Sequence, residues 1–442
     1  MATRREYVRE LKMSSMALLR CVILALLFAG CATPNRFYQP AGQAQVRPSK
    51  LYEDNAPYEK LCSIEFDEQG DIWNPAQERA VRLLIRKSAR KPLLVVFIHG
   101  WHNNAHPRNG NLQSFNQLLK ELAKRANTED REVMGVFIGW RGLAIQRQWD
   151  KTGIGWVARY LSFYSRKNDT DLVAGIPLTK SLYSLASAAH ARGGRVIFIG
   201  HSFGGRILEK ALAQALVGQT AGNSGAEAIL PADLTLLINP ASEAITARRL
   251  KLALRHWSQP SPAIISVTSV GDTDTSTWWS LGMNAALLTK SRSYRRYNGG
   301  SHQKEYVVKT AGHSPIMLDR QISRLEPQPP PPDEDAAKWN FQHATKDQFL
   351  SANTWWRIQD APPSSGPFVM NQQQARGYWV MRAPKEIIAD HNDIFSTPAI
   401  ELFAALFKIC ERTIQKSPEQ KAIAVPATIA EVPAESVTVA GR

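Results

Sequence analysis

Ser202 stands in Gly200-His201-Ser202-Phe203-Gly204-Gly205. The apolar run Val196-Ile197-Phe198-Ile199 precedes it. Behind it, Ile207, Leu208, Ala211, Leu212, Ala215 and Leu216 recur at helical spacing. A Gly-x-Ser-x-Gly between a strand and a helix holds its serine at the tip of a tight turn with the hydroxyl exposed. Gly200 and Gly204 remove side chains that would collide there. The helix beginning at Phe203 aims backbone N–H groups and its positive end at the hydroxyl. Attack on an acyl carbon needs such an oxygen, fixed donors for the charge that develops on the carbonyl oxygen, and a base to take the proton.

About a hundred residues upstream, the run 93–98 ends in Phe97-Ile98-His99-Gly100-Trp101. A His-Gly pair at a strand end, followed by a residue whose N–H faces an oxyanion, resembles the corresponding motif of α/β-hydrolases. The stretch Ile98-His99-Gly100-Trp101-His102-Asn103-Asn104-Ala105 looks like a set of bacterial hydrolases, mostly unassigned. The resemblance covers residues 62–411. It implies a serine nucleophile, a histidine base and an acid, with the amides of Trp101 and Phe203 as the oxyanion donors. His99 is then structural, bonding within its loop. His102 and His106 lack metal spacing and read as loop residues.

The acid is expected after the run 264–267, where Val270-Gly271-Asp272-Thr273-Asp274 offers two carboxylates at a strand end. Such an acid orients the imidazole and stabilises its charged form. Asp272 is the first choice and Asp274 the alternative; either also suits a turn cap before Trp278-Trp279. Glu243, after the run 234–238, is a weaker candidate. The base has two candidates. His391 lies between an expected last strand, 378–381, and an amphipathic helix carrying Ile400, Leu402, Phe403, Leu406, Phe407 and Ile409. The resemblance puts the base in that loop. His313, in Thr310-Ala311-Gly312-His313-Ser314-Pro315, is the alternative base and has no such helix behind it. The His201 side chain is expected to point away from the hydroxyl.

Near-continuous apolar runs at 93–98, 133–138, 196–199, 234–238 and 264–267 suit strands buried on both faces, as in a parallel sheet. Helical patterns at 112–125, 178–191, 204–217 and 242–256 alternate with them, which predicts an α/β fold with a mostly parallel central sheet flanked by helices. Acid and base are about 120 residues apart, too far for a simple loop, so 276–376 reads as an insertion forming a cap. It carries Trp278, Trp279, Trp339, Trp355 and Trp356. A second insertion, 141–175, carries Trp149, Trp156, Tyr160, Phe163 and Tyr164. These aromatics suit an acyl pocket, or simple packing of insertion on body.

The chain has 442 residues and a net charge of +15. A basic head, the apolar run 21–29 and Phe28-Ala29-Gly30-Cys31-Ala32 make residues 1–30 an export signal. Nine or so apolar residues are too few to span a bilayer. The ending resembles a bacterial lipobox with Cys31 as the lipidated residue, although Phe28 replaces the usual aliphatic side chain. Residues 31–61 read as a tether and 412–442 as a flexible tail. Residues 1–30 hold five basic and two acidic side chains, leaving a mature chain near +12. An exported chain with no recognisable nucleic-acid motif meets anionic lipid head groups rather than nucleic acid. Cys62 and Cys410 are then bridged or simply buried. With no CxxC or HExxH, no metal or organic cofactor is called for. The expected activity is acyl-ester hydrolysis, carboxylesterase or lipase-like, on a small-molecule or lipid ester. Thioester or amide hydrolysis, or acyl transfer, would use the same residues. A non-catalytic hydrolase fold serving as an envelope binding or assembly protein is the competing reading.

Overall fold

The computed structural model describes residues 58–126, 131–142, 163, 166–220, 229–259, 261–288, 294, 303–326, 330–345, 347–362 and 376–414. The expected export signal, Cys31 and residues 415–442 of the expected tail lie outside them. So do Trp149, Trp156, Tyr160 and Tyr164.

The elements run in the order β1 (Leu61–Glu65), α1 (Pro75–Arg86), β2 (Lys91–Ile98), α2 (Gly110–Ala126), β3 (Arg131–Gly139), α3 (Ile176–His190), β4 (Arg195–His201), α4 (Phe203–Thr220), β5 (Leu234–Ile238), α5 (Ala244–Ala253) and β6 (Ile264–Ser269). A π-helical turn, Asp274–Trp278, leads into α6 (Trp279–Leu288). Then come α7 (Gln303–Val308), β7 (Arg320–Arg324), α8 (Ala336–His343), β8 (Gln348–Ser351), β9 (Thr354–Asp360), β10 (Tyr378–Ala383) and α9 (Thr397–Ile414). The strands form one ten-stranded sheet in the order β1-β3-β2-β4-β5-β6-β10-β7-β9-β8. All pairings from β1 to β7 are parallel, and β7–β9 and β9–β8 are antiparallel.

Alternate residues of each parallel strand feed two apolar layers, which is why these strands read as unbroken apolar runs. In β2, Leu94, Val96 and Ile98 join Val81 of α1, Leu182 of α3, Ile207 of α4 and Leu250 of α5. Leu93, Val95 and Phe97 join Phe115 of α2, Phe341 of α8 and Leu406 of α9 on the other face. The result is an α/β molecule of three layers. Its parallel connections send each strand's C-terminal end to the same edge of the sheet, where ligands of open α/β sheets bind.

The expected cap over 276–376 is only partly off the sheet. Residues 320–360 extend the sheet instead, because β10 offers a free edge that β7 closes. Asp319 makes the splice: its N–H donates to the carbonyl of Val380 at 2.9 Å, and its carboxylate accepts the N–H of Val380 at 2.8 Å. Buried Lys251 of α5 pairs with that carboxylate and donates to the carbonyl of Met317 at 3.0 Å. Trp356 packs into the second layer, and Trp339 meets Trp355 edge-on with ring centroids 4.9 Å apart. These tryptophans serve the sheet extension. Only Trp279 of the five lies buried in the layer that α4 packs into; Trp278 is 66% exposed.

The boundaries also shift at both ends. Leu61 already belongs to β1, and α9 continues through Ile414, so tether and tail are shorter than expected. Among the described residues no helix is long and apolar enough to cross a membrane.

Cys62 and Cys410 are buried, free thiols. They belong to opposite apolar layers, which excludes a bridge between them. Burial pushes both thiols up to about 12. A chain with Cys21 and Cys31 replaced by serine is expected to show no thiol reactive toward a disulfide reagent when native and two when denatured. Its melting temperature should be unmoved by reductant; a reductant-dependent melt would mean the thiols pair in solution.

Candidate active site

The β4–α4 turn places Ser202 at φ 55°, in the left-handed region. A non-glycine residue there costs on the order of 1–3 kcal/mol and needs support from its surroundings. The support comes from β5 and the residues just beyond its end. The N–H of Ser202 donates to the carbonyl of Ile238 at 3.1 Å, and its carbonyl accepts from Ala241 at 3.0 Å and Arg206 at 3.2 Å. The flanking glycines are required by contact. A Cβ on Gly204 would lie 2.0 Å from the carbonyl oxygen of Ile98, and one on Gly200 would lie 2.7 Å from Cα of Gly205.

Three side chains meet at this turn. His391, in the loop between β10 and α9, places Nε2 2.8 Å from Ser202 Oγ. Its Nδ1 lies 3.0 Å from Asp272 Oδ1, in the loop after β6. Asp272 is fully buried. It also accepts from the backbone N–H of Thr275 at 3.0 Å and from the Thr275 hydroxyl. Burial alone would raise its pKa, but the hydrogen bonds from His391 and Thr275 hold the carboxyl below its ordinary value. Burial likewise disfavours the imidazolium of His391. The Asp272 carboxylate outweighs it, and the His391 pKa lies above the ordinary 6.5. Such an array takes a proton from a hydroxyl and stabilises the resulting cation.

The 98–102 loop crosses directly over the turn. A Cβ on Gly100 would lie 2.8 Å from Cβ of Ser202, so only glycine lets Trp101 follow so closely. Trp101 follows directly on this close approach, and Phe203 opens α4 directly after Ser202. His99 is buried and bonded within its surroundings: Nδ1 donates to the carbonyl of Gly100 at 2.9 Å and Nε2 accepts the N–H of Trp140 at 3.1 Å. Burial lowers its pKa to about 4, which keeps it a neutral spacer.

The other candidates sit elsewhere. Asp274 is exposed at the start of the π-helical turn, and its charge adds to the field that favours the His391 imidazolium. His313, in the turn Ala311–His313, makes no bond to Ser202; burial lowers its pKa to about 4. Glu243 precedes α5 and pairs with Arg206 and, at 2.7 Å, with Lys167. Partial burial would raise its pKa, but these cations hold its carboxyl far below the ordinary range.

Two residues at the site, Thr275 and Asn239, were not singled out by sequence, whereas Phe163 was among the aromatics expected at an acyl pocket. Thr275 completes the acid's hydrogen bonds. Asn239 follows β5 at φ 46° and ties the ends of β5 and β6 to the His391 loop. Its position between a strand and Pro240 was the available signal, since asparagine tolerates left-handed backbone. Phe163 is the hub of an aromatic cluster beside the nucleophile. Its ring centroid lies 5.1 Å from Phe203, 5.5 Å from Trp101 and 5.9 Å from Trp279. Among the described residues, no group of three or more His, Cys, Asp or Glu is placed to hold a metal ion.

Compared with protein-family models, curated proteins and solved structures, the chain matches none.

NMR titration of His391 should give a pKa above 6.5 in the wild-type chain. In Asp272→Asn it should fall below that value, because burial then acts without the carboxylate. An unchanged pKa in the variant would show that Asp272 is not the group that charges the ring.

Proposed function

We propose that the protein is a serine hydrolase of α/β-hydrolase type, cleaving an acyl ester. One observation carries the reading: an unbroken line from buried Asp272 through His391 to Ser202, with the serine on a strained strand–helix turn. Its three members follow β4, β6 and β10 at one edge of a parallel sheet.

His391 Nε2 takes the Ser202 proton as Oγ attacks the acyl carbon. The backbone N–H groups of Trp101 and Phe203 take the oxyanion, and the close approach of the 98–102 loop to the Ser202 turn supports that role. The imidazolium is held by Asp272 and gives its proton to the leaving alcohol, producing an acyl-serine. Water, deprotonated by His391, then attacks the acyl carbon; the acid leaves and Ser202 recovers its proton. The aromatic rings of Trp101, Phe163, Phe203 and Trp279 favour an apolar acyl group next to the serine. Thioester hydrolysis or acyl transfer would run on the same atoms.

The export signal supports a location in the cell envelope, with Cys31 lipidated and holding the domain at a membrane surface. There a lipid ester or a small-molecule ester is the substrate class.

A fluorophosphonate should label the wild-type chain on Ser202 and leave Ser202→Ala unlabelled, and p-nitrophenyl esters should turn over. His391→Ala should lower kcat by roughly 10⁴-fold or more, while His313→Ala keeps most of it. Equal labelling of the Ser202→Ala chain, or loss of turnover on changing His313 but not His391, would overturn the assignment.

A further inference from the structure

The peptide of His391 is held more elaborately than its ring. Its carbonyl accepts from His201 Nε2 at 2.8 Å and from Asn239 Nδ2 at 3.1 Å. The Asn239 amide also reaches the carbonyl of Asp390 at 3.1 Å, and its Oδ1 accepts the N–H of Ser269 at 2.9 Å. Ser269 Oγ donates to the carbonyl of Ile388 at 2.5 Å. Three consecutive strand ends, those of β4, β5 and β6, therefore grip one loop.

His201 is the last residue of β4 and the covalent neighbour of Ser202. A closed ring of bonds results. Ser202 Oγ meets His391 Nε2, the His391 carbonyl meets the His201 imidazole, and one peptide unit joins His201 back to Ser202. Drift of the 388–391 loop away from Ser202 is opposed by the bonds that His201 and Asn239 make to the His391 carbonyl. We infer that His201, with Asn239, is a positioning residue that sets the distance and rotation of His391 relative to Ser202.

The chemistry of the contact explains the residue type. A carbonyl only accepts, so His201 must carry its proton on Nε2. Its Nδ1 is then a bare lone pair. That atom is buried and has no hydrogen-bond partner. It faces Gly100, where a Cβ would come within 3.2 Å of it. No acceptor waits for a second proton, and burial drives the His201 pKa down to about 3. The His201 and His391 rings are only 5.0 Å apart. A cation at 201 would oppose the imidazolium that the proposed reaction forms at 391. A neutral imidazole supplies the hydrogen bond without that cost.

The kinetic consequence rests on the hydrolase reading; the geometric one does not. Two variants separate donor from volume: His201→Phe keeps a ring without a donor, and His201→Gln keeps an N–H of similar reach. The geometric readout is the low-field proton resonance of His391 Nδ1–H in its bond to Asp272. It should be sharp in the wild type and His201→Gln, and broadened or lost in His201→Phe. On a p-nitrophenyl ester, His201→Phe should lower kcat by about 10- to 100-fold with KM within about twofold, the scale of a misplaced catalytic group. His201→Gln should stay within about fivefold of wild type. Asn239→Asp sets a carboxylate against the same carbonyls and should reproduce the His201→Phe pattern, which covers the case in which His201→Phe does not fold. A wild-type resonance in His201→Phe or Asn239→Asp, or a His201→Gln as impaired as His201→Phe, would overturn the inference. Failure of the wild-type chain to take fluorophosphonate would instead overturn the hydrolase reading, and the resonance would still decide the role of His201.

Discussion

The left-handed backbone of Ser202 is the constraint on which the site depends. One residue must turn a strand into a helix without any intervening loop, and that geometry is tolerable only where neighbours occupy its N–H and carbonyl. Both are taken up by the β5 end, through Ile238 and Ala241. The turn is so tight that the carbonyl of Ile98 would touch any side chain at position 204. The end of β2 and the start of α4 are thereby pressed together, which brings Trp101 over the serine. The strained turn and the proximity of the 98–102 loop are one packing solution seen from two sides.

A second constraint is electrostatic. Arg206, one turn into α4, is 1% exposed and pairs with Glu243 and, at 2.9 Å, with Asp171. Its Nε donates to Thr170 Oγ1 at 3.0 Å. Lys167 bonds Glu243 and lies over the ring of Trp279 at 5.9 Å. Desolvating these charges is expensive, and removing one partner of such a pair costs about 3–5 kcal/mol. The network is therefore better understood as orientation than as bulk stability. It joins α4, the start of α5 and the helical stretch 166–173 of the first insertion. Phe163, just ahead of that stretch, thereby has a fixed seat among Trp101, Phe203 and Trp279.

Much of this was legible in the chain. The five central strands lie within about two residues of their apolar runs, because burial on both faces leaves no polar alternation to blur them. Ser202, Asp272 and His391 were legible because each sits at a strand exit with a distinctive neighbour: glycines at 200 and 204, Gly271 before the acid, an amphipathic helix after the base. The features that stayed hidden share a cause. The strand β7, Arg-Gln-Ile-Ser-Arg, has a single apolar residue and is built by pairing with β10 and β9, which periodicity cannot display. Its anchors, Asp319 and Lys251, are charged residues brought together only by tertiary contact. His201 and Asn239 act through a backbone carbonyl about 150 or more residues away, and no local pattern encodes such a partner.

The sheet extension has a consequence for how the molecule breathes. Had the chain ended its sheet at β10, the strand that delivers His391 would have been an edge, free to fray. With β7, β9 and β8 beyond it, β10 is paired on both sides, as are β4 and β6. The amides of these three strands are expected to exchange with solvent more slowly than those of the edge strands β1 and β8. The fluctuations that peel a sheet from its margins thus stop short of the strands from which the serine, the acid and the histidine depart.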